Sequence, residues 1–399
     1  MKLHMFAGVG AMLLLALTVQ GRDVDVSGIS LGNLTATTVD ITYTLSRTTP
    51  ALSADQAVWI FVKYTSDGGS TWMDTDNTSQ ADDWCAGGQT GASTVNQFLS
   101  GDVGVVTSSG SKTITWTWGA TGTNLDETDQ VRVRVYAVEM CRVTADAAYS
   151  MGGDAGNNAI TSGTANLASD YYLQKYPVTN RTYVDFLNEV ANVHDNTADA
   201  THDYWNSTQG DATRGGISVT GSVPNAVWSA VGGREDWPVI GVNWLNAYDM
   251  TRWMGLIPTT EEQWEKGCRS VGGASGNIYS WGNAPAAAIW NCDMSGSFSP
   301  GRPCDVNTYE TVWSDSSLAN PFGLYEMTGN VWQWTDTEAY SGAYNAAMSG
   351  LTYASPPANV VNRAGSWGVS GTSLYGSARA ITSAYSLRAT YIGIRGVKN

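Results

Sequence analysis

The chain has 399 residues, 42% hydrophobic and only 14% charged, with 36 acids against 21 bases and a formal charge of −15. That length and apolar content support two or three domains with sizeable cores, and the low charge leaves Ser, Thr, Asn and Gly to cover the surface, which suits an exported protein. The acidic balance repels phosphate backbones and argues against nucleic-acid binding, while staying compatible with cations.

Lys2 precedes an apolar run from Met5 to Val19. The run is too short for a membrane span and has the form of a signal peptide over residues 1–21, with no span expected after its removal. No Cys follows it to carry a lipid anchor. Export permits disulfides. The five cysteines are Cys85, Cys141, Cys268, Cys292 and Cys304, an odd number that leaves at least one thiol outside intramolecular pairs. Cys85 with Cys141 is the expected bridge and Cys292 with Cys304 an open second one. Cys268 follows a helical stretch and reads as a small buried residue.

From residue 22 to 143 the pattern is that of short strands. Thr37 to Leu45 alternates β-branched residues, Ala57 to Thr65 sets Val58, Ile60 and Val62 on one side, and Asp67-Gly68-Gly69-Ser70 is a hairpin turn signal. Lys112 to Trp118 and Gln130 to Glu139 follow, the latter alternating Val131, Val133 and Val135 with Arg132, Arg134 and Tyr136. Such strands without a helical period predict a β-sandwich.

Residues 144–399 change character. Thr179 or Asn180 can cap a helix in which Tyr183, Phe186, Leu187 and Val190 share one face. Residues 191–236, rich in Asp, Asn, Thr and Gly, read as a surface excursion holding His194 and His202. A helix is expected over Trp244 to Met254, stopped by Gly255. Thr259 and Glu262 have capping-box spacing for the next one, whose Glu261, Glu262 and Glu265 suit its dipole. The stretch Phe322 to Trp334 combines Gly323 and Gly329, which permit unusual backbone angles, with Glu326 and Gln333. A carboxylate, turn carbonyls and an amide oxygen are ligands that Ca²⁺ accepts; a Trp-rich buried strand after a tight loop is the alternative.

Several of these segments together resemble the formylglycine-generating-enzyme, or sulfatase-modifying-factor, family, whose fold is a variant of the C-type-lectin fold. The family signature Gly-Asn-Val-Trp-Glu-Trp is matched by Gly329-Asn330-Val331-Trp332-Gln333-Trp334. Tyr149 to Gly153, Tyr171 to Asn180, Trp237 to Trp244, Leu256 to Glu265, Tyr279 to Gly282, Arg363 to Trp367 and Ile392 to Arg395 match further motifs in the family's order. The resemblance implies an α+β domain over 144–399. Residues 22–143 resemble the immunoglobulin-like modules that precede it in some bacterial secreted proteins. It also implies two Ca²⁺ sites. Asn291 and Cys292 carry over onto the first, with Asp305 the nearest candidate carboxylate. Glu326, Gly329, Val331 and Gln333 carry over onto the second, with Gln333 dropping a charge.

In the family's enzymes two cysteines follow the Gly-Ser-Trp, five residues apart, and hold a copper ion for O₂-dependent oxidation of a substrate cysteine. Here those positions are Val369 and Leu374, so no copper and none of that chemistry are expected. The family's iron branch uses three His on a separate helical domain. This chain has three His in all, and one of them lies in the leader. Neither His194 nor His202 offers a base to a nucleophile. Other proteins of this fold vary residues between the Gly-Ser-Trp and the terminal Ile-Gly-x-Arg to bind ligands. The matching candidates are Val369, Ser370, Thr372, Tyr375, Thr382, Tyr385, Ser386 and Tyr391, and Tyr with Ser suits adaptable recognition. Arg379, Arg388 and Arg395 are expected to pair with carbonyls or acids inside the scaffold. The expectation is a secreted or cell-surface bacterial protein without catalysis, binding a glycan, a protein or further copies of itself. A modifying oxidoreductase with a displaced site and a self-assembling filament or surface-layer subunit are the alternatives.

Overall fold

The computed structural model describes residues 23–35, 37–47, 51–74, 95–96, 98–118, 131–194, 203–283, 302–306, 320–353, 355–369 and 371–399. It divides into two compact units. The first draws its described residues from the chain up to Glu139, and the second holds Met140–Asn399 with Ala54–Gln56.

The first unit contains β1 (Val24–Gly32), β2 (Val39–Arg47), β3 (Gln56–Thr65), β4 (Met73–Asp74), β5 (Leu99–Gly101), β6 (Gly104–Val106), β7 (Gly110–Trp116) and the larger part of β8 (Arg132–Val143). One sheet runs β1-β2-β7-β5, with Ile41 opposite Ile114 and Tyr43 opposite Lys112. In the other, β3 lies between β8 and β4 and also pairs β6. Period-2 alternation turns Val26, Ile41, Ile114 and Trp116 from the first sheet, and Val58, Ile60, Val62, Val133 and Val135 from the second, into one apolar core. The opposite face of β3 is buried as well. Phe61 stacks on Tyr136 at 4.8 Å, and the Lys63 ammonium meets the carboxylate of Asp74, its cross-strand partner. The turn after β3 is ordered by one side chain. The Asp67 carboxylate accepts from the Ser70 and Thr71 amides at 2.9 Å each and from the Thr65 hydroxyl at 2.7 Å.

The second unit is α+β. After β9 (Asp146–Ser150), β10 (Thr164–Leu167) and β11 (Tyr171–Gln174) come α1 (Asn180–His194), the hairpin β12 (Ile217–Thr220) with β13 (Val227–Ala230), α2 (Trp244–Trp253), β14 (Ile257–Pro258) and α3 (Glu261–Arg269). Then follow β15 (Trp332–Glu338), β16 (Asn359–Arg363), β17 (Ala380–Ala384), β18 (Ile392–Gly393) and β19 (Gly396–Lys398). β19 pairs both β14 and β11, while β17-β16-β15-β18 form a second sheet whose β15–β18 pair is parallel. Trp264, Cys268, Leu173, Leu324, Met327 and Val397 share a core between these elements.

Three expectations change. The described part of the excursion, 203–236, is built onto the scaffold. Asn188 and Asn192, one helical turn apart on α1, each exchange two hydrogen bonds with the backbone of Trp228 and Ala226, at 2.8–3.0 Å. The capping box of α3 lies one residue later than its spacing predicted. Thr260 and Gln263 close it, because the Thr259 hydroxyl donates instead to the Arg395 carbonyl at 2.9 Å. The expected Cys85–Cys141 bridge is not made: Cys141 is a buried thiol, its Sγ donating to the Gly323 carbonyl at 3.3 Å. Cys85 lies outside the described residues. Cys268, a buried thiol inside α3, is as expected.

Trp116 is fully buried and its ring lies 4.7 Å from that of Tyr64. Trp116→Ala is expected to lower unfolding free energy by about 3–5 kcal/mol in denaturant titration.

Candidate functional site

The segment that carries the family's chemistry leaves β16 at Arg363, and a buried charge network sets where it starts. Thr260 caps α3 so that Glu261 and Glu265, one turn apart, point inward instead of toward solvent. Arg363 reaches both carboxylates, at 3.0 Å to Glu261 and 2.6 Å to Glu265. Arg379 forks onto Glu261, and Arg269 holds Glu265 at 2.9 Å. These five side chains are 0% exposed. Further guanidinium protons go to carbonyls, Arg269 to Gly152, Gly273 and Asn277, Arg363 to Gly376, and Arg379 to Tyr340. Arg269 also meets the Asp154 carboxylate at 3.2 Å, while Arg363 Nε is buried without a hydrogen-bond partner among the described residues. A buried charge is tolerated only when paired and hydrogen-bonded in this way.

Beyond the network the chain turns at Gly365, where φ is 71°. A Cβ there would stand 2.8 Å from Leu374 Cδ2, 3.3 Å from Val369 Cγ2 and 2.7 Å from the Ser373 carbonyl, so a side chain cannot be accommodated without movement. The same distances show that the structure brings Val369 and Leu374 together around Gly365. Leu374 is buried and Val369 half-buried. Two aliphatic side chains thus occupy the positions where the resemblance requires thiolates, and neither can ligate copper. The Cys268 sulfur lies 2.9 Å from where a Cβ on Gly376, two residues beyond Leu374, would stand. Burial pushes that thiol up to about 12, and it donates to the Met327 carbonyl at 3.3 Å. It is therefore protonated and inert at neutral pH. Cys304 is disulfide-bonded, and Cys292 lies outside the described residues. Of the excursion histidines, His202 also lies outside them.

The candidate ligand positions are placed differently. Thr372, Thr382, Ser386 and Tyr391 are exposed, and Tyr375 and Tyr385 are half-buried; Ser370 is outside the described residues. Their backbones are tied down. The Thr372 carbonyl accepts from the Asn157 amide at 3.1 Å, that of Tyr385 from Trp244 at 2.9 Å, and that of Tyr391 from Trp332 at 2.8 Å. Tyr375 meets the edge of Tyr279 at 5.5 Å, and Tyr279 stacks on Trp281 at 5.1 Å. Trp367 donates to the Thr390 carbonyl at 3.1 Å, and the Arg214 guanidinium covers its ring at 5.0 Å. Arg214 belongs to the excursion, so sequence reasoning assigned nothing to it. Only its closeness in the fold reveals it.

The second Ca²⁺ set does not fit the ion. Gln333 Oε1 already accepts from Trp264 Nε1 and Arg395 Nε, each at 2.8 Å, and Gln333 Nε2 donates to the Glu326 carbonyl at 2.8 Å. Burial pushes the Glu326 carboxyl up to about 8, against the pull of Arg395. Gly329 and Val331 lie buried in the same turn. For the first set, Asn291 and Cys292 are outside the described residues, and Asp305 is half-buried. Among the described residues no group of three His, Cys, Asp or Glu is arranged to hold a metal.

With fold and site in view, comparison with known proteins defines the class. A family model described as "Sulfatase-modifying factor enzyme 1-like domain" matches residues 109–399, and the chain belongs to that family. The formylglycine-generating enzyme of Streptomyces coelicolor is 34% identical over 129 residues, 31% of this chain and 39% of that protein. The "Inactive C-alpha-formylglycine-generating enzyme 2" of Bos taurus is 32% identical over 117 residues, 29% of this chain and 38% of that one. The chain therefore spans well under two thirds of the length of these curated relatives. The structure of PvdO from Pseudomonas aeruginosa is 18% identical with a TM-score of 0.45, covering 66% of this chain and 94% of that one.

Removing one member of the network strands the opposite charge. Glu265→Leu is expected to lower stability by about 3–5 kcal/mol, read by chemical denaturation. Asp336 supplies a pH test. Burial pushes its carboxyl up to about 7 from an ordinary 3.8. Between those values the folded chain holds a proton that the unfolded chain has released, so this group makes stability fall as pH rises across the window. Asp336→Asn is expected to flatten that fall in melting curves taken from pH 4 to 7.

Proposed function

We propose that the chain is an exported, non-catalytic recognition protein: a sulfatase-modifying-factor scaffold of C-type-lectin-like topology, preceded by an immunoglobulin-like sandwich over about residues 22–143. The observation that carries this reading is the pair Val369 and Leu374, packed together around Gly365 where the family's oxidising enzymes need a reactive cysteine pair. A relative named as inactive is compatible with it. The exposed Thr, Ser and Tyr side chains beyond Gly365 supply the contact surface, on a backbone anchored to buried elements. Tyr brings rigid amphipathic area at low entropic cost, and the small hydroxyls adapt to polar groups. The expected target is a glycan or a protein met outside the cell.

The test has two parts. Purified protein supplied with copper, O₂ and a cysteine-containing peptide is expected to form no aldehyde by mass spectrometry; turnover would overturn the non-catalytic reading. On a glycan array and in pull-downs from cell-surface extracts, Tyr385→Ala combined with Tyr391→Ala is expected to lose capture at least tenfold while the melting temperature holds. Capture unchanged by this double variant would move the contact surface elsewhere, and a ladder of oligomers on sizing columns would favour the self-assembly alternative.

A further inference from the structure

We infer that the turn between Gly323 and Trp334 is closed by the Gln333 side-chain amide in place of a Ca²⁺ ion, so that this part of the scaffold folds without the metal implied by the sequence resemblance. The argument rests on donor and acceptor polarity. An amide has an oxygen end and a nitrogen end, and which way it faces is set by its partners. The partners of the oxygen end are an indole N–H and a guanidinium N–H, Trp264 Nε1 and Arg395 Nε, each 2.8 Å away. Both groups can only donate, so the amide cannot be turned over. Two donors also use up the two lone pairs of Gln333 Oε1, which leaves that oxygen nothing to offer a cation.

The nitrogen end must therefore face the turn, and it does: Gln333 Nε2 donates to the Glu326 carbonyl at 2.8 Å. The amide oxygen expected as a ligand is thus consumed, and the Glu326 carbonyl is tied up by the same side chain. A Glu at 333 would keep one oxygen on Trp264 and Arg395 and present its second oxygen to the Glu326 carbonyl. Two oxygens facing each other require a cation between them; an oxygen facing N–H₂ does not. One change from carboxylate to amide substitutes a hydrogen bond for the ion.

A cation is already resident beside the turn. The fully buried Arg395 guanidinium donates to the carbonyls of Gln174, Lys175 and Tyr325 in addition to Gln333. It gathers backbone oxygens as a metal would, and its charge opposes entry of a second cation at short range. Ca²⁺ takes 6–8 oxygen ligands, and Gln333 Oε1 is withdrawn from the set this turn could give.

The experiment is thermal melting of the full chain in excess CaCl₂ and in chelator, alongside Gln333→Glu, Gln333→Leu and Glu326→Gln. The expected result is equal melting temperatures for the unchanged chain in both buffers, and a gain of several degrees with CaCl₂ for Gln333→Glu. A Gln333→Glu chain that folds only when Ca²⁺ is present gives the same answer. Terbium luminescence sensitised by Trp reads occupancy independently of folding, and is expected from Gln333→Glu alone. A Ca²⁺-dependent shift in the unchanged chain that Glu326→Gln abolishes would overturn the inference, as would a Gln333→Glu chain indifferent to Ca²⁺. A shift in the unchanged chain that survives both Glu326→Gln and Gln333→Leu places the ion elsewhere and leaves the amide closure standing.

Discussion

The second unit depends on a charge arrangement that has no contact with solvent. Glu261 and Glu265 on α3, Arg363 at the end of β16, Arg379 before β17 and Arg269 at the end of α3 are all withdrawn from water. Ionic groups inside a protein are expensive unless every one has its counterpart. Each here is linked to another member or to a backbone carbonyl, so the group works as a register device. It fixes which turn of α3 faces β16 and where the chain must leave the sheet toward Gly365. Apolar residues of similar volume would fill the space, but they would not dictate that register.

This arrangement accounts for a scaffold recognisable by sequence although the reactive sulfurs are gone. The network lies behind the Gly365 turn and shares no atoms with the side chains at 369 and 374. Val and Leu there close around Gly365, where a redox pair would need access to O₂ and substrate. Architecture and chemistry are separable here because the first is held by buried ions and the second belongs to a loop outside them.

Much of the architecture was legible because it rests on local pattern. The alternation of Val131, Val133 and Val135 placed β8, and the spacing of Tyr183, Phe186, Leu187 and Val190 placed α1. The helix ends at Gly255 and near Thr260 followed from capping rules, the latter displaced by one residue because Thr259 is drawn to the Arg395 carbonyl. What escaped was long-range. Glu261 and Glu265 look in sequence like dipole partners at the start of an exposed helix, and nothing local says that Arg363 and Arg379 lie about a hundred residues further on and opposite them. The same blindness made a bridge between Cys85 and Cys141 attractive, since compartment and count say nothing of where a sulfur points. The resemblance also supplied ligands for Ca²⁺ by position, whereas the polarity of the Gln333 amide depends on Trp264 and Arg395, distant in the chain.

Cys141 and Cys268 are thiols with no exposed surface, each hydrogen-bonded to a carbonyl in the interior. A water-borne alkylating reagent reaches such sulfurs only when the surrounding structure opens. Cys268 sits inside α3 beside the ionic cluster and Cys141 on β8 beside Gly323, so their modification rates report opening of one shared core from its helix side and its strand side. The protein therefore carries its own pair of clocks for measuring which side of that core loosens first.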